Sequence, residues 1–418
     1  MTRFRLAPSI VALTVATLAA RPGVAQNQLW LEQFGSLDHD YTSGAAPDGA
    51  GGVFLSGYTE GGFFGPNSSI ADAWIARYDG ATGNQLWLRQ LATSGDDEAH
   101  GVAPDGSGGA YVTGYTEGSL GGPFGGHTDV WLARYDSAGN QLWTRQLSST
   151  GPSSYDVANA ATTDGSGGVY VTGYTSGTLG GPSLGSNDAW VARFNSSGVQ
   201  LWVRQLGSPN HEAARTAAPD GSGGVYIGGE TMSSLGGQWA GGHDAWLAHY
   251  DAAGNQLWIR QLGAIAWDLL GPAAPDGSGG VYVGGYTEGS LAAPNAGFAD
   301  AWLARYDYSG NQLWIRQFGT STGDSIGAAA ADGLGGVYVG GNTLGSLAAA
   351  NAGGYDAWLA QYDSSGNRLW TRQFGTNTSD GLWAASPDGS GGVYLGGMTY
   401  GDLGAPNAGL EDAWIARY

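Results

Sequence analysis

Seven stretches of the chain alternate large apolar with polar side chains: QLWLEQF, QLWLRQL, QLWTRQL, QLWVRQL, QLWIRQL, QLWIRQF and RLWTRQF. An alternation of period two is the pattern of a β-strand. Their tryptophans, Trp30, Trp87, Trp143, Trp202, Trp258, Trp314 and Trp370, step by 57, 56, 59, 56, 56 and 56 residues. Three other strand patterns recur in the same period. The first is small and bland, as in SGAAPDG at 43–49. The second is aromatic and β-branched, as in GVYVGGYT at 280–287. The third reads DAWLARYD at 300–307 and carries Trp74, Trp131, Trp190, Trp246, Trp302, Trp358 and Trp414. Turns of the form DGSGG join the first pattern to the second, and turns of the form DSSGN join the third to the fourth. Glycine and asparagine there supply the positive φ of tight hairpins. The unit is therefore four strands, a to d, with one d strand displaced to the start.

Side-chain size rises from strand a (alanine, glycine) through strand b (tyrosine, valine) to the tryptophans of c and d. Sheets standing radially about an axis are close together inside and far apart outside, so this gradient predicts an all-β, seven-bladed propeller with tryptophan filling the outer gap. The fixed period overrides the two or three domains that 418 residues would otherwise suggest. The opening strand 28–34 should pair with 411–418 and close the ring, leaving no exposed edge. The blades fall at 38–91, 97–147, 155–206, 211–262, 268–318, 323–374 and 380–418 plus 28–34. Residues 26–418 thus read as one propeller.

Units of the form DAWxARYDSSGNQLWxRQFG…AAAPDGSGGVYVGGYT resemble the bacterial β-propeller repeats called SBBP, over the whole of 28–418. The resemblance implies an exported or surface protein and a shape more than a chemistry. A shorter likeness, Ala76-Arg-Tyr-Asp-Gly-Ala-Thr-Gly-Asn-Gln-Leu-Trp87, is to the quinoprotein tryptophan-docking repeat.

Residues 1–25 have the form of a signal peptide: Arg3 and Arg5, an apolar run over Leu6–Ala20, then Gly23-Val24-Ala25. The run is short for a membrane span, which needs about 20 residues. We therefore expect a secreted, cell-surface or periplasmic protein with no membrane insertion once the signal is removed. Cysteine is absent, so packing alone must hold the fold. A formal charge of -20 argues against nucleic acid as a partner.

Most acids recur in step. A turn Asp closes each strand a (Asp48, Asp105, Asp164, Asp220, Asp276, Asp332, Asp388), and another precedes each strand c tryptophan. Both are placed to cap their own turns. A further set, Asp40, Asp97, Asp156, Glu212, Asp268, Asp324 and Asp380, lies eight residues before the turn Asp, where it would ring one channel mouth. Such oxygens would suit a Ca²⁺ ion, although sevenfold repetition favours a structural role within each blade. No cofactor is expected.

Departures from the repeat gather in the b–c and d–a loops, which share one face. They include an insertion at 147–156 and, in the b–c loops, Phe63, Phe64, Phe124, His127, Trp239, His243 and Phe298. Five residues before the turn Asp stand Ser43, His100, Asn159, Arg215, Gly271, Gly327 and Trp383. Unequal aromatic, histidine and arginine side chains are what a binding surface needs. The candidate ligand-binding residues are Tyr155, Trp267, Trp383, His100, Arg215 and His211. They point to a non-catalytic propeller recognising a glycan, cell-envelope polymer or protein. One alternative is a polysaccharide lyase with His100 or His211 as base and Arg215 as neutraliser, or a glycoside hydrolase using Glu98, Glu117 or Glu230. A second is a passive structural part of a surface assembly. No nucleophile elbow, HExxH or phosphate-binding loop accompanies them.

Overall fold

The computed structural model describes residues 27–63, 69–149 and 154–418. The 1–25 signal segment, Phe64 and the middle of the 147–156 insertion lie outside the described residues. The described chain forms seven four-stranded antiparallel sheets. The first blade comprises β2 (Asp40–Pro47), β3 (Val53–Thr59), β4 (Asp72–Tyr78) and β5 (Gln85–Leu91). The same a–b–c–d order repeats through five further blades, and the seventh ends the chain with β26 (Asp380–Pro387), β27 (Val393–Thr399) and β28 (Asp412–Arg417). Its fourth strand is β1 (Trp30–Phe34), in register from Trp30 opposite Arg417 to Phe34 opposite Ala413. The inner strands β2, β6 (Asp97–Pro104), β10 (Asp156–Thr163), β14 (Glu212–Pro219), β18 (Asp268–Pro275), β22 (Asp324–Ala331) and β26 each pack on the next, and β26 returns to β2. The ring is closed.

The hydrophobic core is divided among the blade junctions. Ile75 and Phe54 of the first blade pack with Trp131 and Val112 of the second, and an equivalent cluster occupies each junction. The strand c tryptophans are fully buried there. The wedge argument places tryptophan in the outer gap, where strand c fills the interior and the strand d indoles pack against it from the rim. The strand d indoles other than the buried Trp370 lie partly exposed on the rim and work as latches. Trp87 Nε1 donates to the Ser137 carbonyl 3.1 Å away in the next blade, and Trp143 does the same to Ser196. Gly139, at φ 78°, lies under the Trp87 ring, where a Cβ would come within 2.7 Å. That turn needs glycine both for its backbone and for the indole above it. At the last junction, β28 and β1 are not joined by a c–d turn, and Trp370 Nε1 bonds Gln361 instead.

Each turn Asp has a second duty beyond capping. Asp105 Oδ1 accepts the N–H groups of Ser107 and Gly109, at 2.7 and 2.8 Å. Its Oδ2 accepts Nε and Nη2 of Arg134, at 3.0 and 2.8 Å, and Arg134 Nη1 reaches the Ser196 carbonyl of the next blade. The same Asp–Arg pair recurs at Arg77, Arg193, Arg305 and Arg417. In the fourth blade His249 replaces the arginine. It is fully buried, bonds Asp220 at 2.9 Å and is covered by Tyr308, which stands where other turns carry a small residue.

Candidate functional site

Every inner strand contains one register shift. The shifts fall at Ser43, His100, Asn159, Arg215, Gly271 with Pro272, Gly327 and Trp383. An extra residue at such a bulge is released from the ladder and its side chain is re-aimed. All seven positions accordingly line one throat, a cavity of about 250 Å³ on the channel axis. One of the most variable positions of the repeat is thus the one the fold turns toward the channel.

Unequal side chains make the throat one-sided. Glycine at two neighbouring bulges, Gly271 and Gly327, opens a second cavity of about 460 Å³ toward the loop face. Arg215 and Trp383 flank those glycines in ring order and line both cavities. Leu269, Ile326, Tyr286, Phe298 and Tyr355 supply further apolar surface, with Glu288 and Ser325 among the polar groups. The two glycines differ. A Cβ on Gly327 would press on the Leu382 carbonyl at 2.7 Å, whereas on Gly271 its nearest neighbour would be 3.4 Å away. Sterics therefore explain Gly327, while Gly271 simply leaves space.

The Arg215 guanidinium is anchored from beneath. Its Nε lies 2.9 and 3.0 Å from the two carboxylate oxygens of Glu230, and its Nη2 2.7 Å from one of them. Burial alone would raise the Glu230 carboxyl, but His211 and Arg215 outweigh it and hold the group below its usual range. Burial works against the Arg215 charge, and Glu230 more than restores it. His100 is also engaged at both nitrogens, with Glu98 Oε2 at 2.8 Å and the Ala158 carbonyl at 3.2 Å. Burial pushes Glu98 up, but hydrogen bonding to His100 and Tyr115 leaves it lowered.

Of the six candidate residues, His100, Arg215 and Trp383 meet at the throat. The other three stand farther out, at blade junctions. Tyr155 stacks on His127 of the preceding b–c loop at 4.5 Å, and Trp267 lies 4.5 Å from His243, ring to ring. His211 meets His243 edge-on and sits 3.6 Å from Glu230.

The seven acids expected to ring the mouth are turned inward instead, although Asp324 also borders the second cavity. Asp40, Asp97, Asp156, Glu212, Asp268, Asp324 and Asp380 are all buried to within 1 %. Each accepts a backbone N–H four to seven residues upstream in its own d–a loop, as Asp40 does from Ser36 and Asp156 from Ser149. The strand b threonines bond several of them, Thr231 to Glu212 and Thr399 to Asp380 among them. The cause of the miss is the bulge, which inverts side-chain alternation between this acid and the turn Asp. Among the described residues, no three His, Asp or Glu side chains come close enough to share a metal ion. Sequence reasoning also missed the walls Leu269, Ile326, Tyr286 and Tyr355. The readable signal was aliphatic bulk at Leu270, Ile326 and Leu382, where the earlier blades carry alanine or threonine.

Comparison with known proteins agrees with this architecture. The SBBP beta-propeller repeat model matches residues 86–121 and 142–181. Regulatory protein FlaEY of Caulobacter vibrioides is 30% identical over 248 residues, covering 53% of this chain and 25% of that protein. An uncharacterized WD repeat-containing protein of Acanthamoeba polyphaga mimivirus is 28% identical over 171 residues, 34% of this chain and 12% of that one. This chain thus matches only a quarter or less of the length of these relatives. Among solved structures, the Dos1 propeller superposes with a TM-score of 0.51 at 12% identity, covering 93% of this chain and 95% of that one. At that identity the likeness shows the fold alone. The chain is a seven-bladed propeller carrying SBBP beta-propeller repeats.

Proposed function

We propose that this chain is an exported, non-catalytic binding propeller that holds its ligand at the loop-face mouth of the channel. One observation carries the reading. Seven equivalent bulges point into one throat, and two adjacent glycines among them open a single apolar-walled cavity between Arg215 and Trp383. A cavity of several hundred Å³ with a few placed polar groups is the usual form of a ligand site. Export rests on the 1–25 pattern. A lyase or hydrolase is less well supported, because His100 already faces acceptors on both nitrogens and Glu230 is spent on Arg215 and His211. Of the three ligand classes the sequence admits, the cavity walls favour one with an exposed apolar group, which a protein segment offers more readily than a sugar.

The test is an array of envelope glycans and peptides probed with the purified propeller and two variants. Trp383→Ala removes one wall, and Gly271→Leu fills the cavity at a position with room for a Cβ. Ligand retained by the wild type should be lost from both variants while thermal unfolding stays unchanged. Retention by both variants would remove the mouth from consideration.

A further inference from the structure

We infer that the mouth cavity receives the C-terminal residue of a peptide, its apolar side chain in the cavity and its free carboxylate on the unused edge of Arg215. This rests on reading the mouth as the binding site. A guanidinium presents two parallel N–H pairs, one from Nε and Nη2 and the other from Nη1 and Nη2. Glu230 occupies the first pair. Among the described residues Nη1 makes no hydrogen bond, and the Arg215 side chain is 43% exposed where it lines both cavities. Glu230 is 1% exposed and fixes the plane of the group, so the second edge is pre-set for another carboxylate.

The mouth offers a carboxylate one anchoring point, because Glu288 and Asp324 border the same cavity and only Arg215 there carries a positive charge. The chain has no lysine, and every other described arginine lies in a strand c or a strand d. Arg215 is the only described arginine on an inner strand, so a carboxylate arriving at the mouth meets one permanent cation. The walls specify what accompanies it. Leu269, Ile326, Tyr286, Phe298 and Trp383 surround a volume of about 460 Å³, enough for one large apolar residue with its backbone. A sugar would leave most of its hydroxyls unpaired against such walls, and each buried polar group without a partner weakens binding.

Calorimetric titration with four probes tests the inference: acetyl-Gly-Gly-Leu-Phe as free acid, the same peptide as C-terminal amide, acetyl-Gly-Gly-Leu-Gly acid, and N-acetyl-phenylalanine. The free acid ending in phenylalanine should bind, with the amide and the glycine-ended acid each at least about tenfold weaker. Arg215→Gln/Glu230→Gln, paired so that no buried charge is stranded, should erase the difference between acid and amide. Its thermal unfolding is followed in parallel. Equal binding of acid and amide would overturn the carboxylate assignment and leave the mouth as a binding site. N-acetyl-phenylalanine binding as tightly as the peptide would overturn the peptide assignment. If neither peptide binds, the inference fails, while array ligands that Gly271→Leu displaces would still uphold the mouth.

Discussion

The two faces of the ring use the same residue types for opposite ends. On the turn face an aspartate and an arginine meet in five of the seven blades, with His249 or Gln361 completing the pattern in the others. Each pair joins one blade to the next, so it must repeat wherever the junction repeats. On the loop face Arg215 occurs once, paired with a Glu230 that also occurs once, beside two glycines that leave space. Repetition marks what the ring needs to stand, and the loop-face departures from it are where we place its use. The contrast holds only if turn-face changes cost stability and mouth changes do not.

The largest expected effect is therefore on the turn face. Asp276→Ala strands Arg305 and leaves two N–H groups of its own turn without an acceptor. It should cost about 3 kcal/mol in a denaturant titration. A loss under about 1 kcal/mol would break the contrast.

A second test concerns the junctions beneath the mouth. Gly284 faces Ile326, as Gly228 faces Leu270 and Gly340 faces Leu382. In blades two and three the same position holds Thr113 or Thr172, and the next blade offers only Ala158 or Ala214. Volume is thus traded across the junction. Gly284→Ala would place a Cβ 3.1 Å from Ile326 and should destabilise by about 1–3 kcal/mol. Adding Ile326→Val should recover part of that loss, read as a coupling in a double-mutant cycle.

The blade that departs from the turn-face rule sharpens it. His249→Arg restores the usual residue, but Tyr308 occupies the space its guanidinium requires. The single change should destabilise, and His249→Arg with Tyr308→Ser should recover, with a coupling of about 1 kcal/mol.

Acid titration reads the two faces with opposite sign. On the turn face, burial is outweighed by hydrogen bonds from the turn and from Arg or His, and Asp105, Asp164, Asp220, Asp276 and Asp388 are held low. Their contribution is present above about pH 4 and is lost as pH falls through their lowered values. Under the d–a loops burial wins. Asp40 and Asp268 are pushed up to about 6, and Asp97, Asp156 and Asp380 are raised as well. Their contribution is complete below about pH 4 and is lost as pH rises through their folded values. Thermal stability should peak at mildly acidic pH, and Asp268→Asn should flatten the neutral side of the curve without moving the acid limb.

These outcomes also show how far the sequence could be read. Blade number, strand order and ring closure follow from a steric gradient that repeats, and the gradient is visible in any one unit. The Asp–Arg pairs went unread, although Asp105 and Arg134 are separated by the same 29 residues as Asp164 and Arg193, because a fixed spacing shows the repeat and not the contact. The mouth was legible only in part. His100, Arg215 and Trp383 stand out as unequal residues at equivalent positions. Their convergence depends on a backbone bulge that leaves no mark in composition, and the same bulge turned the acids beneath them inward. Gly271 and Gly327 were visible at the same variable position, but in a chain with 77 glycines nothing marked them as the pair that opens a cavity.

The most direct test of the account is a double variant, Gly271→Leu/Trp383→Ala, measured for both melting temperature and ligand retention. The melting temperature should stay within about 2 °C of the wild type, as for substitutions outside the packed interior, while retention is lost. A fall of 10 °C or more, with roughly one order of magnitude or less lost in affinity, would mean that the bulge side chains hold the ring together and that the ligand is bound elsewhere.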